Sequence, residues 1–122
     1  MISAILHSSL LISDLEKSKQ FYKNVLGLEQ NVSRPDLGYP GLWFNAGSQQ
    51  IHLLLLPNPD ATEGRPEHGG RDRHIALAVD DVAKLEKSLS QAGVKLTKSR
   101  SGRAALFCRD PDGNALEFIQ TK

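Results

Sequence analysis

Four residues with metal-binding side chains recur at nearly one spacing. His7 and His74 stand 67 residues apart, and His52 and Glu117 stand 65 apart. The helix punctuation between them keeps the same step: Asp14 to Asp81 is 67 residues and Gly27 to Gly93 is 66. A fixed period of this length means that one supersecondary unit is used twice, so the chain can fold only into something with two equivalent halves.

Each half reads as βαβββ. In the first, residues 2–12 form a buried strand. Asp14 is a good N-cap, and Leu15, Phe21, Tyr22, Val25 and Leu26 cluster at helical spacing up to the stop at Gly27. Strand patterns follow at 29–34, 41–46 and 50–56. Residues 57–72, with three prolines and three glycines, form a surface connection. The second half repeats the order: a strand at 73–79, a helix capped by Asp81 and carrying Val82, Leu85, Leu89 and Ala92, and strands at 94–98, 104–109 and 115–120. The expectation is a single α+β domain over 1–122. Its tandem modules, at about 1–57 and 73–122, form a curved mixed sheet with a metal-binding cavity.

Strand parity says which faces carry chemistry. His74 alternates with the small Ala76 and Ala78, and His7 with Ser9, while Ile75, Leu77 and Val79 or Leu6, Leu10 and Ile12 take the other face and can pack under helices. In the last strand Glu117 shares its face with Ala115 and Ile119, and a carboxylate placed there needs a cation. Asp110-Pro-Asp-Gly-Asn114 is a hairpin turn that sets Phe107 across from Glu117. Arg103 then faces the same cavity and is expected to hold an anionic substrate group, with Phe107 beside it; Arg71 and Arg73 are weaker candidates. His7, His52, His74 and Glu117 form a nitrogen and oxygen set suited to one divalent ion of zinc, nickel, cobalt, manganese or iron. His68, in the glycine-rich connection, reads as a solvated loop residue.

Composition narrows the partners. In 122 residues the net charge is +1, with acids and bases interspersed, so no basic stripe argues for nucleic acid. The longest apolar run, 51–56, is far too short to span a bilayer, and the N-terminus lacks signal-peptide patterning. The lone Cys108 rules out an internal disulfide framework. A cytoplasmic protein acting on a small molecule is expected.

Three stretches, Phe21-Tyr-Lys-Asn-Val-Leu-Gly-Leu28, His74-Ile-Ala-Leu-Ala-Val-Asp-Asp-Val82 and Asp110-Pro-Asp-Gly-Asn-Ala-Leu-Glu117, resemble the vicinal oxygen chelate superfamily. That superfamily includes glyoxalase I, fosfomycin-resistance proteins, extradiol dioxygenases and bleomycin-binding proteins. The resemblance implies paired βαβββ modules, commonly in a homodimer, with His7, His74 and Glu117 at metal-ligand positions and Glu117 as the residue that moves a proton. His52 stands where glyoxalase I and the epimerases hold a carboxylate or carboxamide, which makes the expected site one charge more positive. The function so implied is a glyoxalase I-like lyase or isomerase that chelates vicinal oxygens. The alternatives are an iron-dependent extradiol-type dioxygenase and a non-enzymatic antibiotic-binding protein.

Overall fold

The two sequence repeats become two four-stranded sheets of identical topology in the computed structural model, which describes residues 1–121. The chain divides into two compact units, Met1–Pro59 and Asp60–Lys122. The connecting segment from Asp60 onward therefore goes with the second unit, whereas the sequence pattern leaves it between the two.

In the first unit β1 (His7–Ile12) is followed by α1 (Leu15–Lys19), β2 (Glu29–Gln30), β3 (Gly41–Ala46) and β4 (Gln49–Leu55). The strand order is β1-β4-β3-β2, with β1 parallel to β4 and the other pairs antiparallel. Asp14 caps α1 by accepting from the Lys17 backbone N–H. The helix then widens into a π-helical stretch, Gln20–Val25, where the Leu26 amide reaches back to the Phe21 carbonyl. A wider helix turns less per residue, so the adjacent Phe21 and Tyr22 can both face the sheet; both are buried, with Tyr22 stacked on Phe44.

Three strands are shorter than their sequence patterns by two residues or more. β1 begins at His7 and not at Ile2, because its pairing with β4 starts at His7 opposite Gln50, whose amide takes the Leu6 carbonyl as the last rung. Met1, Ile2, Ile5 and Leu6 are exposed, and of β1 only Ile12 is buried. β2 stops at Gln30 because the Asn31 side chain accepts from the Ser33 amide and hydroxyl and turns the backbone away. The 94–98 pattern contracts to Leu96–Lys98, the part that pairs with the next strand.

In the second unit a single 3-10 turn (Gly69–Arg71) precedes β5 (His74–Val79), α2 (Val82–Gln91), β6 (Leu96–Lys98), β7 (Ala105–Arg109) and β8 (Ala115–Gln120), in sheet order β5-β8-β7-β6. Asp81 caps α2, and Gly93, at φ +73°, ends it. Leu89 comes down from α2 into a core with Leu106, Leu116 and Phe118, each worth about 1.5–3 kcal/mol on burial. The Asp110 carboxylate ties the β7–β8 turn together by accepting from the Asp112 and Asn114 amides and the Asn114 side chain. The turn puts Phe107 directly opposite Glu117, as the hairpin reading requires.

Candidate functional site

β5 and β8 run parallel with Ala76 beside Glu117, so His74, two residues upstream on β5, shares the face of that carboxylate. The His74 Nε2 lies 3.3 Å from Glu117 Oε1. Its other nitrogen, Nδ1, is 2.8 Å from the Asp72 carbonyl, which can only accept. Nδ1 therefore carries a hydrogen, and Nε2 turns toward a carboxylate whose side chain is 6% exposed. A ring nitrogen and a buried carboxylate oxygen facing each other at that distance share a cation, either a proton on the ring or a metal ion between them. The separation fits a metal ion, since two bonds of about 2.1 Å meeting at a tetrahedral or octahedral angle put their donors about 3.0–3.4 Å apart. A histidine whose second nitrogen is held by a carbonyl is also the usual support for such a ligand.

Asp72 positions this histidine from beneath. Its carboxylate accepts two hydrogen bonds from Arg65, at 2.7 and 2.8 Å, one from Arg109 at 2.9 Å and one from the Arg73 amide. The Arg65 hydrogen bonds, helped by Arg109 and opposed by burial, hold the Asp72 carboxyl well below the usual carboxylate range. Arg109 continues to the Gly113 and Pro66 carbonyls, so one network joins the connecting segment, the hairpin turn and the approach to His74.

Phe107, buried, forms the wall of this site and meets the His74 ring edge-on at 5.4 Å. The guanidinium of Arg103 reaches the free carboxylate oxygen of Glu117, Oε2, at 3.2 Å, while its Nε donates to the Ser101 hydroxyl. Around them is a cleft of about 410 Å³ lined by His68, Arg71, His74, Ser99, Arg100, Ser101, Arg103, Phe107 and Glu117. Arg73 is not in that lining and pairs with Asp60 at 2.7 Å.

The first unit repeats the arrangement with different chemistry. Ser9 lies beside His52 across β1 and β4, and Trp43 lies beside it across β3 and β4. The His52 ring is sandwiched, 3.9 Å from His7 at 15° and 4.0 Å from Trp43 at 6°. The Gln50 amide oxygen is 2.8 Å from His52 Nε2, which puts the hydrogen there and leaves Nδ1 with a lone pair. Burial, then the neighbouring His7 and then Arg34, lower the His52 pKa below its ordinary 6.5, so the ring is kept neutral, the form that ligates. A cleft of about 610 Å³ beside it takes in Leu37, Tyr39, Trp43 and Leu54 along with both histidines.

The four expected ligands are thus gathered as two pairs, His7 with His52 and His74 with Glu117, one in each unit. Among the described residues no three His, Cys, Asp or Glu side chains form a group that could hold a metal ion. Sequence reasoning missed Trp43, whose place opposite His52 follows from pairing 41–46 with 50–56 about Gly47-Ser48. It also left His68 to solvent, whereas the ring accepts from the Gly70 amide, meets the Lys98 carbonyl at 3.2 Å and packs edge-on against Phe107 at 4.8 Å. Nothing in the local pattern of 64–72 marks that role.

The family model for the Glyoxalase/Bleomycin resistance protein/Dioxygenase superfamily matches residues 4–118. The chain belongs to that superfamily. Lactoylglutathione lyase of Haemophilus influenzae is 31% identical, with 97% of this chain and 93% of that protein aligned. A glyoxalase family protein from Bacillus anthracis superposes with a TM-score of 0.82 at 24% identity, covering 100% of this chain and 98% of the other. The fosfomycin resistance protein FosX from Listeria monocytogenes superposes at 0.76 with 20% identity over 100% of this chain and 96% of its own. The two structural likenesses establish the fold, which this superfamily uses for more than one chemistry. Among the described residues no helix is long and apolar enough to cross a membrane.

Proposed function

We propose that the chain is a metal-dependent lyase or isomerase of the glyoxalase I type, acting on a small oxo compound or its thiol adduct through two adjacent oxygens. The observation that carries this reading is the buried Glu117 carboxylate facing, at 3.3 Å, a His74 ring whose Nδ1 is held by the Asp72 carbonyl. The 31% identity to a lactoylglutathione lyase over nearly the whole chain supports it. His74 and Glu117 would hold the cation. When bound, a divalent cation supplies Lewis acidity, offsetting negative charge as it develops on substrate oxygen.

Proton movement falls to Glu117. A carboxylate within reach of the reacting carbon takes a proton from it and returns it to the neighbouring atom. Arg103, on Oε2, orients that carboxylate and leaves Oε1 to the His74 side. Phe107 closes the wall behind Glu117 against water. His52, neutral and acceptor-poor with Nε2 committed to Gln50, does not supply a second carboxylate, so one residue handles the proton. The protein is further proposed to work as a cytoplasmic homodimer. The buried Cys108, whose thiol burial and the nearby Asp110 push up to about 12, takes no part in the chemistry.

The test is an isomerase assay under nitrogen, with methylglyoxal and glutathione or another small thiol, on protein stripped of metal and then supplied with zinc, nickel, cobalt, manganese or ferrous ion. Metal-dependent, oxygen-independent turnover is expected. Oxygen uptake with a catechol, stimulated by ferrous ion and without turnover of any thiol adduct, would establish the dioxygenase instead.

A further inference from the structure

The chain has seven arginines, and most of them are spent. Arg65 and Arg109 hold Asp72, Arg73 holds Asp60, Arg103 holds Glu117, and Arg34 donates to the Tyr39 carbonyl. The side chains of Arg71 and Arg100 have no hydrogen bond or ion pair among the described residues. Both line the cleft that contains Glu117. They come from different segments, Arg71 from the 3-10 turn and Arg100 from the loop that follows β6.

His68 sets the distance between those segments. With Nδ1 accepting from the Gly70 amide, its Nε2 carries the hydrogen and donates to the Lys98 carbonyl, so the ring spans from the turn that bears Arg71 to the strand end that leads into Arg100. The ring is braced on Phe107, and a Cβ at Gly70 would come within 3.1 Å of Phe107 and 3.0 Å of His68, so the turn has been brought close to both. Two uncompensated guanidinium groups are therefore held at the mouth of a pocket whose only carboxylate is already engaged. Ser99, whose hydroxyl is linked to that of Ser101, adds a further donor on the same side.

The geometry points to an oxyanion subsite formed by Arg71 and Arg100, with His68 as its strut, that receives the carboxylate or phosphoryl end of the substrate while the other end reacts at Glu117. This deepens the lyase reading by naming the substrate class, a small molecule with a terminal oxyanion, and it moves anion recognition from Arg103 to two other residues. Arg fits this work because its planar donors match a carboxylate or phosphate in pairs.

The test uses metal-free protein and two probes, inorganic phosphate and succinate, followed by NMR shifts of the arginine Nε–H groups. Shifts concentrated at Arg71 and Arg100 are expected. Arg71→Gln and Arg100→Gln should each raise Kd roughly fivefold to tenfold, and the double variant should abolish saturable binding. Arg73→Gln, outside the cleft, should change Kd less than twofold. The probe that binds more tightly identifies the substrate's end as phosphoryl or carboxylate. Shifts spread evenly over surface arginines, or an equal loss in Arg73→Gln, would overturn the subsite. Because no metal or turnover enters the measurement, anion binding by a protein inactive as a lyase would retain this inference and remove that one.

Discussion

The indole of Trp43 lies 4.0 Å from the His52 imidazole and within 6° of parallel to it. Trp43 is the only tryptophan in the chain, so intrinsic fluorescence reports on that one ring pair. Protonated imidazole quenches a stacked indole, and the lowered His52 pKa sets the pH at which this happens: the quenching midpoint is expected below 6.5. The same shift has a stability consequence. A histidine that resists protonation when folded contributes its full effect above 6.5 and loses it as pH falls from there toward the lower folded value. His52→Gln should remove the quenching step and flatten the fall in stability over that window, measured by urea titration at several pH values.

Asp72 is predicted to be the most costly single carboxylate to neutralise in the second unit. Its side chain is 7% exposed, while Arg65 and Arg109 are each about a quarter exposed, which softens the penalty of a fully buried pair. Asp72→Asn should cost about 2 kcal/mol at neutral pH. Since the folded pKa lies below the ordinary 3.8, the wild-type advantage is complete above that value and fades as pH falls through the acid range. Urea midpoints of wild type and variant that differ at pH 7 and converge toward pH 3 would bear this out; a constant difference would mean that Asp72 acts by packing alone.

How far these features can be read from the chain depends on their range. The repeat of His7, Asp14, Gly27 and His52 in the second half made the paired modules legible, because each carries a local requirement of strand, cap or stop that recurs in step. Phe107 facing Glu117 was legible too, since Pro111 and Gly113 leave the turn few alternatives; Gly113, at φ +83° with the Thr62 carbonyl 2.8 Å from where a Cβ would sit, admits no other residue easily. Ile2 to Leu6 misled, being apolar yet without a partner strand. The Arg65–Asp72–Arg109 network and the His68 strut were invisible because they join residues up to 43 positions apart through loop geometry that has no periodicity to follow.

Arg103, engaged with Glu117 Oε2, is expected to serve that carboxylate and not the substrate's charge. Arg103→Gln should therefore lower kcat about tenfold while leaving KM within twofold, since the carboxylate loses its orienting partner but the cleft keeps Arg71 and Arg100. Steady-state kinetics decide it. A tenfold rise in KM at unchanged kcat would assign this guanidinium to the substrate.

If His74 and Glu117 hold the divalent cation on which activity depends, the most direct measurement is calorimetric titration of zinc or nickel into metal-free protein. Wild type is expected to bind one ion per chain, more weakly as pH falls below the histidine range. His74→Ala and Glu117→Gln should each weaken binding at least about a hundredfold, with folded structure retained by circular dichroism. Unchanged stoichiometry and affinity in both folded variants would contradict the assignment of these two residues as ligands.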